Sequence, residues 1–195
     1  MIFAEPPTTR FDVRFKVGRV PVRVHPFFWV STIGLALRPD ATMLSVALWL
    51  IAVLVSILVH ELGHASAFRH FGWEPRITLY GFGGLASADS RRAGRRLTSR
   101  RKIFVSAAGP FAGFAFAAIV SVLVLRLGYR VPLVHWTIGS GPPIPDRTLQ
   151  LLVFDAMTIN VLWGLVNLLP VHPLDGGQIA LELSPHRREG APAHR

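Results

Sequence analysis

An uncharged apolar run that ends in two histidines and a glutamate constrains this chain more than any other feature. Residues 41–59 carry no charged side chain, and a helix of that length can cross the hydrocarbon core of a bilayer. His60, Glu61 and His64 follow it at once. On a helix the two histidines lie one turn apart on the same face, where both can bind one zinc ion, and Glu61 lies beside that ion as a general base. Ionisable side chains in a membrane segment are costly, so they favour a functional site over a chance pair of histidines at a helix end.

The composition is that of a membrane-embedded protein. Hydrophobic residues make up 51% of the 195 positions and charged residues only 16%, whereas soluble domains average about 25% charged residues. The apolar segments predict an all-α membrane protein with about four transmembrane helices, placed at residues 27–38, 43–68, 103–125 and 149–169. This gives an embedded core at residues 27–177, preceded by a tail with interfacial strands at 1–26 and followed by a polar cytoplasmic tail at 178–195.

Two segments outside the helices have the pattern of β-strands. Residues 11–24 alternate apolar and basic side chains around a central glycine, which predicts two short strands joined by a turn at the membrane surface. Residues 77–88 are rich in glycine and β-formers, and we interpret them as a hairpin or a loop beside the histidine motif; an ordinary interfacial hairpin fits equally well. We expect residues 1–9 to be a loose tail and residues 127–147 to be a loop that contains proline and glycine.

The net charge of +10 is best explained by a membrane surface. Seven basic residues lie within residues 91–102, directly before an apolar segment, as expected for a topology determinant that contacts anionic lipids. We therefore predict no nucleic-acid partner. With four spans, the N-terminal segment, residues 69–102 and the tail after residue 170 share one side and hold 17 of the 21 lysines and arginines. By the positive-inside rule, both termini and the histidine motif lie towards the cytoplasmic side of the plasma membrane.

A catalytic zinc site usually takes three protein ligands, so the two histidines need a partner. The chain has no cysteine, which leaves histidine, aspartate and glutamate. Asp175 follows the last predicted span on the side where the histidine motif lies, and Pro170 and Pro173 can turn the chain back towards it. Two glycines after Asp175 permit a tight course around a metal, although Asp-Gly-Gly by itself is more often a turn. Asp155, near the opposite interface, is expected to be solvated or paired.

Two motifs, HELGH in an apolar helix and NLLPVHPLDGG about a hundred residues later, resemble the site-2 protease family of intramembrane zinc metalloproteases. The resemblance extends to FKVGRVPVRVHP near the N-terminus, GFGG after the second span and AAGP in the third. It implies a three-helix catalytic core that binds one Zn²⁺ and hydrolyses a peptide bond within or near a transmembrane segment of a membrane-protein substrate. It further implies His60, His64 and Asp175 as metal ligands and Glu61 as general base. Asn167 matches the family's asparagine that positions substrate or stabilises the oxyanion.

The chain departs from the family pattern in three places. Gly113 and Gln178 stand where members commonly have asparagine and arginine, and only 18 residues follow Gly177. The resemblance therefore indicates a minimal or C-terminally shortened member. A proteolytically inactive zinc-binding regulator is the alternative function, although a structural site would not need Glu61. A metal transporter is less favoured, because no polar residues continue along the helices from the proposed ligands.

Overall fold

The computed structural model describes residues 5–37, 39, 41–81, 83–88 and 97–184. Helices make up most of this part of the chain. In chain order, the elements are β1 (Val13–Val17), β2 (Val20–Val24), α1 (Pro26–Ala36), α2 (Met43–His70), β3 (Pro75–Tyr80), β4 (Gly83–Ala88), α3 (Ser99–Arg126), β5 (Val131–Leu133), β6 (Trp136–Ile138), α4 (Arg147–Thr158), a π-helical turn (Ile159–Trp163), α5 (Gly164–Asn167) and α6 (Asp175–Leu183).

Three of the described helices are long and apolar enough to cross a membrane: α2, α3, and the continuous helix formed by α4, the π-helical turn and α5. Their most apolar windows have mean hydropathies of 2.5, 2.2 and 1.7. The first predicted span, at residues 27–38, is instead the 11-residue helix α1. A helix of that length rises only about 16 Å, roughly half the thickness of the hydrocarbon core. The predicted count of four spans is therefore not confirmed, whereas a set of three long helices is.

Side chains at the helix ends explain where three of the helices begin. Thr42 and Ser45 form a capping box at the start of α2. Asp146 accepts a hydrogen bond of 2.7 Å from a backbone N–H in the first turn of α4. His25 caps α1, in which Pro26 takes the first helical position, where a missing N–H costs nothing.

A four-stranded sheet in the order β1-β2-β3-β4 packs against α1 and α2. Both predicted strand segments are hairpins, since β1 pairs antiparallel with β2 and β3 pairs antiparallel with β4. The two hairpins join through parallel pairing of β2 with β3. The buried residues of the core beneath the sheet are Val20, Val22, Val24, Phe28, Val53, Ile57, Ala65, Ile77 and Leu79. The sheet thereby covers the half of α2 that carries the histidine motif.

The N-terminal segment is held on the sheet. The guanidinium of Arg23, whose side chain is 11% exposed, donates hydrogen bonds to Glu5 Oε1 (3.2 Å) and to the carbonyl of Pro6 (2.9 Å). It also pairs with Asp12 (3.2 Å). The expectation of a loose tail is therefore wrong for residues 5–9, because a largely buried guanidinium needs the carbonyl and carboxylate partners that this segment supplies.

Further segments differ from the sequence-based expectations. The predicted loop at residues 127–147 contains the antiparallel strands β5 and β6, and the predicted polar tail begins inside α6, which continues to Leu183. Asp155 is 7% exposed, which excludes the solvated alternative. The predictions for residues 1–4, 91–96 and 185–195 lie outside the described residues.

Candidate metal centre

The structure brings together the three residues predicted as zinc ligands. His60 and His64 lie one turn apart on α2, and Asp175 is the first residue of α6. Nε2 of His60 lies 3.1 Å from Nε2 of His64 and 3.1 Å from Oδ2 of Asp175. Nε2 of His64 lies 3.3 Å from Oδ1 of Asp175. Each of these side chains is at most 12% exposed, so the cluster is shielded from solvent.

These separations fit one zinc ion. At zinc–ligand distances of about 2.1 Å, two ligand atoms of a tetrahedral site lie about 3.4 Å apart, and the observed values are within about 0.3 Å of this separation. Two imidazoles and one carboxylate are ligands that zinc accepts, and three protein ligands leave the open position of a catalytic site. Burial by itself raises the pKa of Asp175, but hydrogen bonds with the rings of His60 and His64 outweigh burial and leave that pKa below its usual value. Asp175 is therefore in the charged form that a metal requires.

A backbone carbonyl orients the ring of His64 for this role. Nδ1 of His64 donates a hydrogen bond to the carbonyl of Val105 on α3 (2.7 Å). Loss of the proton from Nε2, the atom that faces Asp175, would make its lone pair available to a metal, while the proton on Nδ1 keeps the hydrogen bond to Val105. Metal-binding histidines usually donate their second N–H in this way, and the partner fixes the tautomer. The helix α3 thus sets both the tautomer and the direction of His64.

Gly109 on α3 forms the floor of the site. A methyl group built on this glycine would lie 2.8 Å from Nε2 of His60 and 2.5 Å from Cε1 of His64. Ordinary contacts between non-bonded atoms are about 3.5–4.0 Å, so any side chain here would push the two imidazoles out of place. The sequence AAGP contains this glycine, but nothing in the sequence indicates its contact with the histidines.

Two glycines allow the turn after α5 to bring Asp175 back to α2. A methyl group on Gly176 would lie 2.5 Å from the carbonyl oxygen of Leu169, and one on Gly177 would lie 2.5 Å from the backbone nitrogen of His172. Because α6 begins against the backbone of its own preceding turn, neither position has room for a side chain. The Asp-Gly-Gly sequence therefore supplies a ligand and the two small residues that place it.

Glu61 adjoins the cluster and is covered by β4. Its side chain is buried at 4% exposure, and its Oε2 has no hydrogen-bond partner among the described residues. A methyl group on Gly84 of β4 would lie 2.5 Å from Cγ of Glu61, and the backbone N–H of Ala86 donates a hydrogen bond to the carboxylate. An unpaired buried acceptor costs free energy and requires an explanation, such as a role in catalysis. The contact between Gly84 and Glu61 also shows that β3 and β4 form a hairpin beside the histidine motif, which is one of the two interpretations of residues 77–88.

Hydrogen bonds among the described residues do not connect Asn167 to the three clustered side chains. It is buried at the end of α5, at 8% exposure, just before the turn that leads to Asp175. In the part of the chain that the structure describes, no hydrogen bond joins its amide to the two histidines or to Asp175. Its assignment to substrate or oxyanion binding stays a prediction.

Comparison with known proteins gives consistent matches along the chain. The profile of peptidase family M50 matches residues 48–139 and 137–195. Stage IV sporulation protein FB of Bacillus subtilis is 27% identical over 176 residues, which cover 89% of this chain and 51% of that protein. The zinc metalloprotease MJ0392 of Methanocaldococcus jannaschii is 25% identical over 169 residues, which cover 85% of this chain and 43% of that protein. The chain thus spans about half the length of these relatives or less.

A solved structure has the same fold. The site-2 protease from Methanocaldococcus jannaschii superposes with a TM-score of 0.58 at 23% identity, over 87% of this chain and 70% of that one. The two segments matched by the family profile include the histidine motif and Asp175. The chain therefore belongs to peptidase family M50, the site-2 protease family.

Proposed function

We propose that this chain is the catalytic core of an intramembrane zinc endopeptidase, which hydrolyses a peptide bond within or near a transmembrane segment of a membrane-protein substrate. The main support is the convergence of His60, His64 and Asp175, with a carboxylate oxygen of Glu61 beside them that has no partner in the described part of the chain. A structural metal site has no need of that carboxylate, whereas peptide hydrolysis needs a base. Three long apolar helices support a location in the membrane.

His60, His64 and Asp175 would hold one Zn²⁺ per chain. When bound, zinc supplies Lewis-acid chemistry, in which it makes a water molecule acidic near neutral pH and polarises the substrate carbonyl. Glu61 accepts the proton of the attacking water at Oε2 and returns it to the nitrogen of the leaving amine. The side-chain amide of Asn167 donates a hydrogen bond to the oxyanion that forms at the former carbonyl.

The strand β4 is well placed to bind the substrate. It is the terminal strand of the described sheet, and it contacts Glu61 through Gly84. A transmembrane helix hides its carbonyls in its own hydrogen bonds, so the substrate has to unwind locally before it can be cut. An extended segment that pairs with the edge of β4 would pass beside Glu61.

The pairing of β2 with β3 supports a fourth crossing of the membrane. Residues 20–24 and 75–80 belong to one sheet and lie at the same end of the helices. Because α2 crosses once between them, the segment that contains α1 has to cross in the opposite direction. It runs along α2, where Nε1 of Trp49 donates a hydrogen bond to the carbonyl of Thr32 (3.1 Å). The excess of lysine and arginine in residues 69–102 supports a cytoplasmic location for that end, the active site and both termini, at the plasma membrane.

Replacing Glu61 by glutamine tests the proposal, because glutamine has the same shape and cannot act as the base. We expect purified Glu61→Gln protein to bind one zinc per chain and to cleave a membrane-protein substrate at least a hundredfold more slowly, roughly the contribution of a general base. Glu74→Gln is the matched control, since it removes an exposed carboxylate from the turn after α2. It should cleave like the wild type.

The same assay separates the two candidate functions. Equal cleavage by Glu61→Gln and wild-type protein would contradict the assignment of the base. Wild-type protein that binds zinc and cleaves no membrane-protein substrate would favour the alternative, a zinc-binding regulator without proteolytic activity.

A further inference from the structure

A π-helical turn places an asparagine inside the helix bundle, close to a proposed zinc ligand. Asn160 lies in the turn Ile159–Trp163 and is 4% exposed. Its side-chain nitrogen donates hydrogen bonds to Oγ of Ser56 (2.7 Å) and to the carbonyl of Ala156 (2.8 Å). Ser56 is 2% exposed and precedes His60 by one turn of α2. Residues in π-helices are rare, and such turns are frequent at functional sites.

Asn160 also lines a small cavity. Both hydrogens of the Asn160 side chain are donated, and Oδ1 accepts no hydrogen bond from a residue that the structure describes. This oxygen lies 3.3 Å from the position that a methyl group on Gly113 of α3 would take. The cavity, lined in part by Ser56, His60, Gly113 and Asn160, has about 10 Å³ of room for the centre of a water molecule. That volume corresponds to about one water molecule.

His60 differs from His64 in the partner of its outer nitrogen. Nδ1 of His64 donates to the carbonyl of Val105 (2.7 Å), whereas Nδ1 of His60 has no partner among the described residues. Metal-binding histidines almost always donate this second N–H. Side chains on a helix lean towards its N-terminus, so the ring of His60 lies over the turn that carries Ser56, next to the cavity.

We propose that the cavity holds one ordered water molecule, which accepts the Nδ1–H of His60 and donates to Oδ1 of Asn160. Asn160 is then a positioning residue, because it acts on the metal site through the water and the ring of His60. Ser56 fixes the amide so that its oxygen faces the cavity. This inference rests on the zinc site of the proposed function.

A purely structural role is the competing explanation, because Ser56 and Asn160 also join two helices. Hydrogen bonds between helices stabilise membrane bundles, so their loss would lower the stability of the metal-free and the metal-bound protein alike. Zinc affinity separates the two roles, since only the water-mediated role changes it.

The experiment is a zinc titration of the purified full chain, with unfolding of the metal-free protein measured alongside. Asn160→Leu keeps the size of the side chain and removes the acceptor. Gly113→Ala keeps the bond between Ser56 and Asn160 and directs a methyl group into the cavity. We expect both variants to bind zinc about 10–100 times more weakly than the wild type, the usual effect of losing an outer partner. Thr32→Val is the control, because it removes a buried hydroxyl that is bonded within its own helix, and it should keep wild-type affinity.

Weaker zinc binding by both variants, with an unchanged Thr32→Val control, supports the proposal. Wild-type affinity in either folded variant overturns it, and if Asn160→Leu does not fold, Gly113→Ala decides alone. Wild-type protein that binds no zinc would overturn the metal site itself. If the wild-type protein binds zinc with the same affinity as the two variants, only the role of Asn160 is overturned.

Discussion

Replacing Gly109 by alanine should weaken zinc binding more than about a hundredfold and leave the chain folded. The added methyl group would lie 2.8 Å from Nε2 of His60 and 2.5 Å from Cε1 of His64. Since non-bonded atoms rest about 3.5 Å apart or more, each ring has to withdraw by roughly 0.7 Å or more. Zinc sites tolerate changes of only about 0.2 Å in ligand distance. Both histidines therefore leave their ligand positions. Zinc affinity should fall more than about a hundredfold, because loss of a group that only hydrogen-bonds to a metal ligand already lowers the affinity by up to about a hundredfold.

The assay is a zinc titration of the detergent-purified protein against a chromogenic chelator, with thermal unfolding of the metal-free form measured in parallel. Alanine is favoured over glycine inside a helix by about 1 kcal/mol, so the Gly109→Ala protein should fold without metal. Gly34→Ala is the matched control, because a methyl group on Gly34 of α1 meets no atom within 4 Å. It should bind zinc like the wild type. Wild-type zinc affinity in the Gly109→Ala protein would refute the packing of both rings against this position.

Other changes should have separate effects. Gly84→Ala puts a methyl group 2.5 Å from Cγ of Glu61, so cleavage should fall while zinc content stays at one per chain; an unchanged cleavage rate would contradict this contact. Protein held at a free zinc concentration 100 times the dissociation constant should gain about 2.7 kcal/mol in the free energy of unfolding over chelated protein, and Asp175→Asn should show no such gain. Burial raises the pKa of Asp12, but hydrogen bonds, chiefly from Thr9, lower it from 3.8 to about 2. Its stabilising effect is then complete above about pH 5 and is lost progressively as the pH falls to about 2 and below, so the melting temperatures of wild type and Asp12→Asn should converge over that range. A difference that does not change with pH would contradict this assignment.

The ligand cluster could be predicted because its parts carry local signals. The spacing of His60 and His64 places them on one helix face wherever the helix lies. Asp175 follows an apolar helix, and the predicted topology puts the end of that helix on the same side as the histidines. The side chains of His60 and Asp175 meet at 3.1 Å although 115 positions separate them in the sequence. Hydropathy predicts how deep each segment lies in the membrane, and the matching depths of the three residues were sufficient to predict that they meet.

The groups around the cluster have no comparable signal. Val105 contributes a backbone carbonyl, which any residue type could supply. Gly109 lies in a helix rich in small residues, a composition typical of any close contact between helices. Gly84 covers Glu61 only because two hairpins join into one sheet on α2. These contacts depend on tertiary packing, so residue type and spacing do not reveal them.

Apolar composition also does not show where a helix ends or how strands pair. Residues 27–37 contain no charge, yet α1 ends at Ala36, and its 11 residues rise through only about half of the hydrocarbon core. The parallel pairing of β2 with β3 joins segments on either side of two helices. The strands β5 and β6 have three residues each, too few for a periodic pattern. The π-helical turn at Asn160 changes the register of one helix without any distinctive residue type.

X-ray absorption at the zinc edge of the purified chain tests most directly whether His60, His64 and Asp175 bind one ion together. We predict one zinc per chain with two imidazole nitrogens and at least one oxygen at about 2.0–2.2 Å. Replacing Asp175 by asparagine should weaken zinc binding and alter the oxygen shell. A spectrum without imidazole scattering, or one that is identical in wild type and Asp175→Asn, would contradict the shared site.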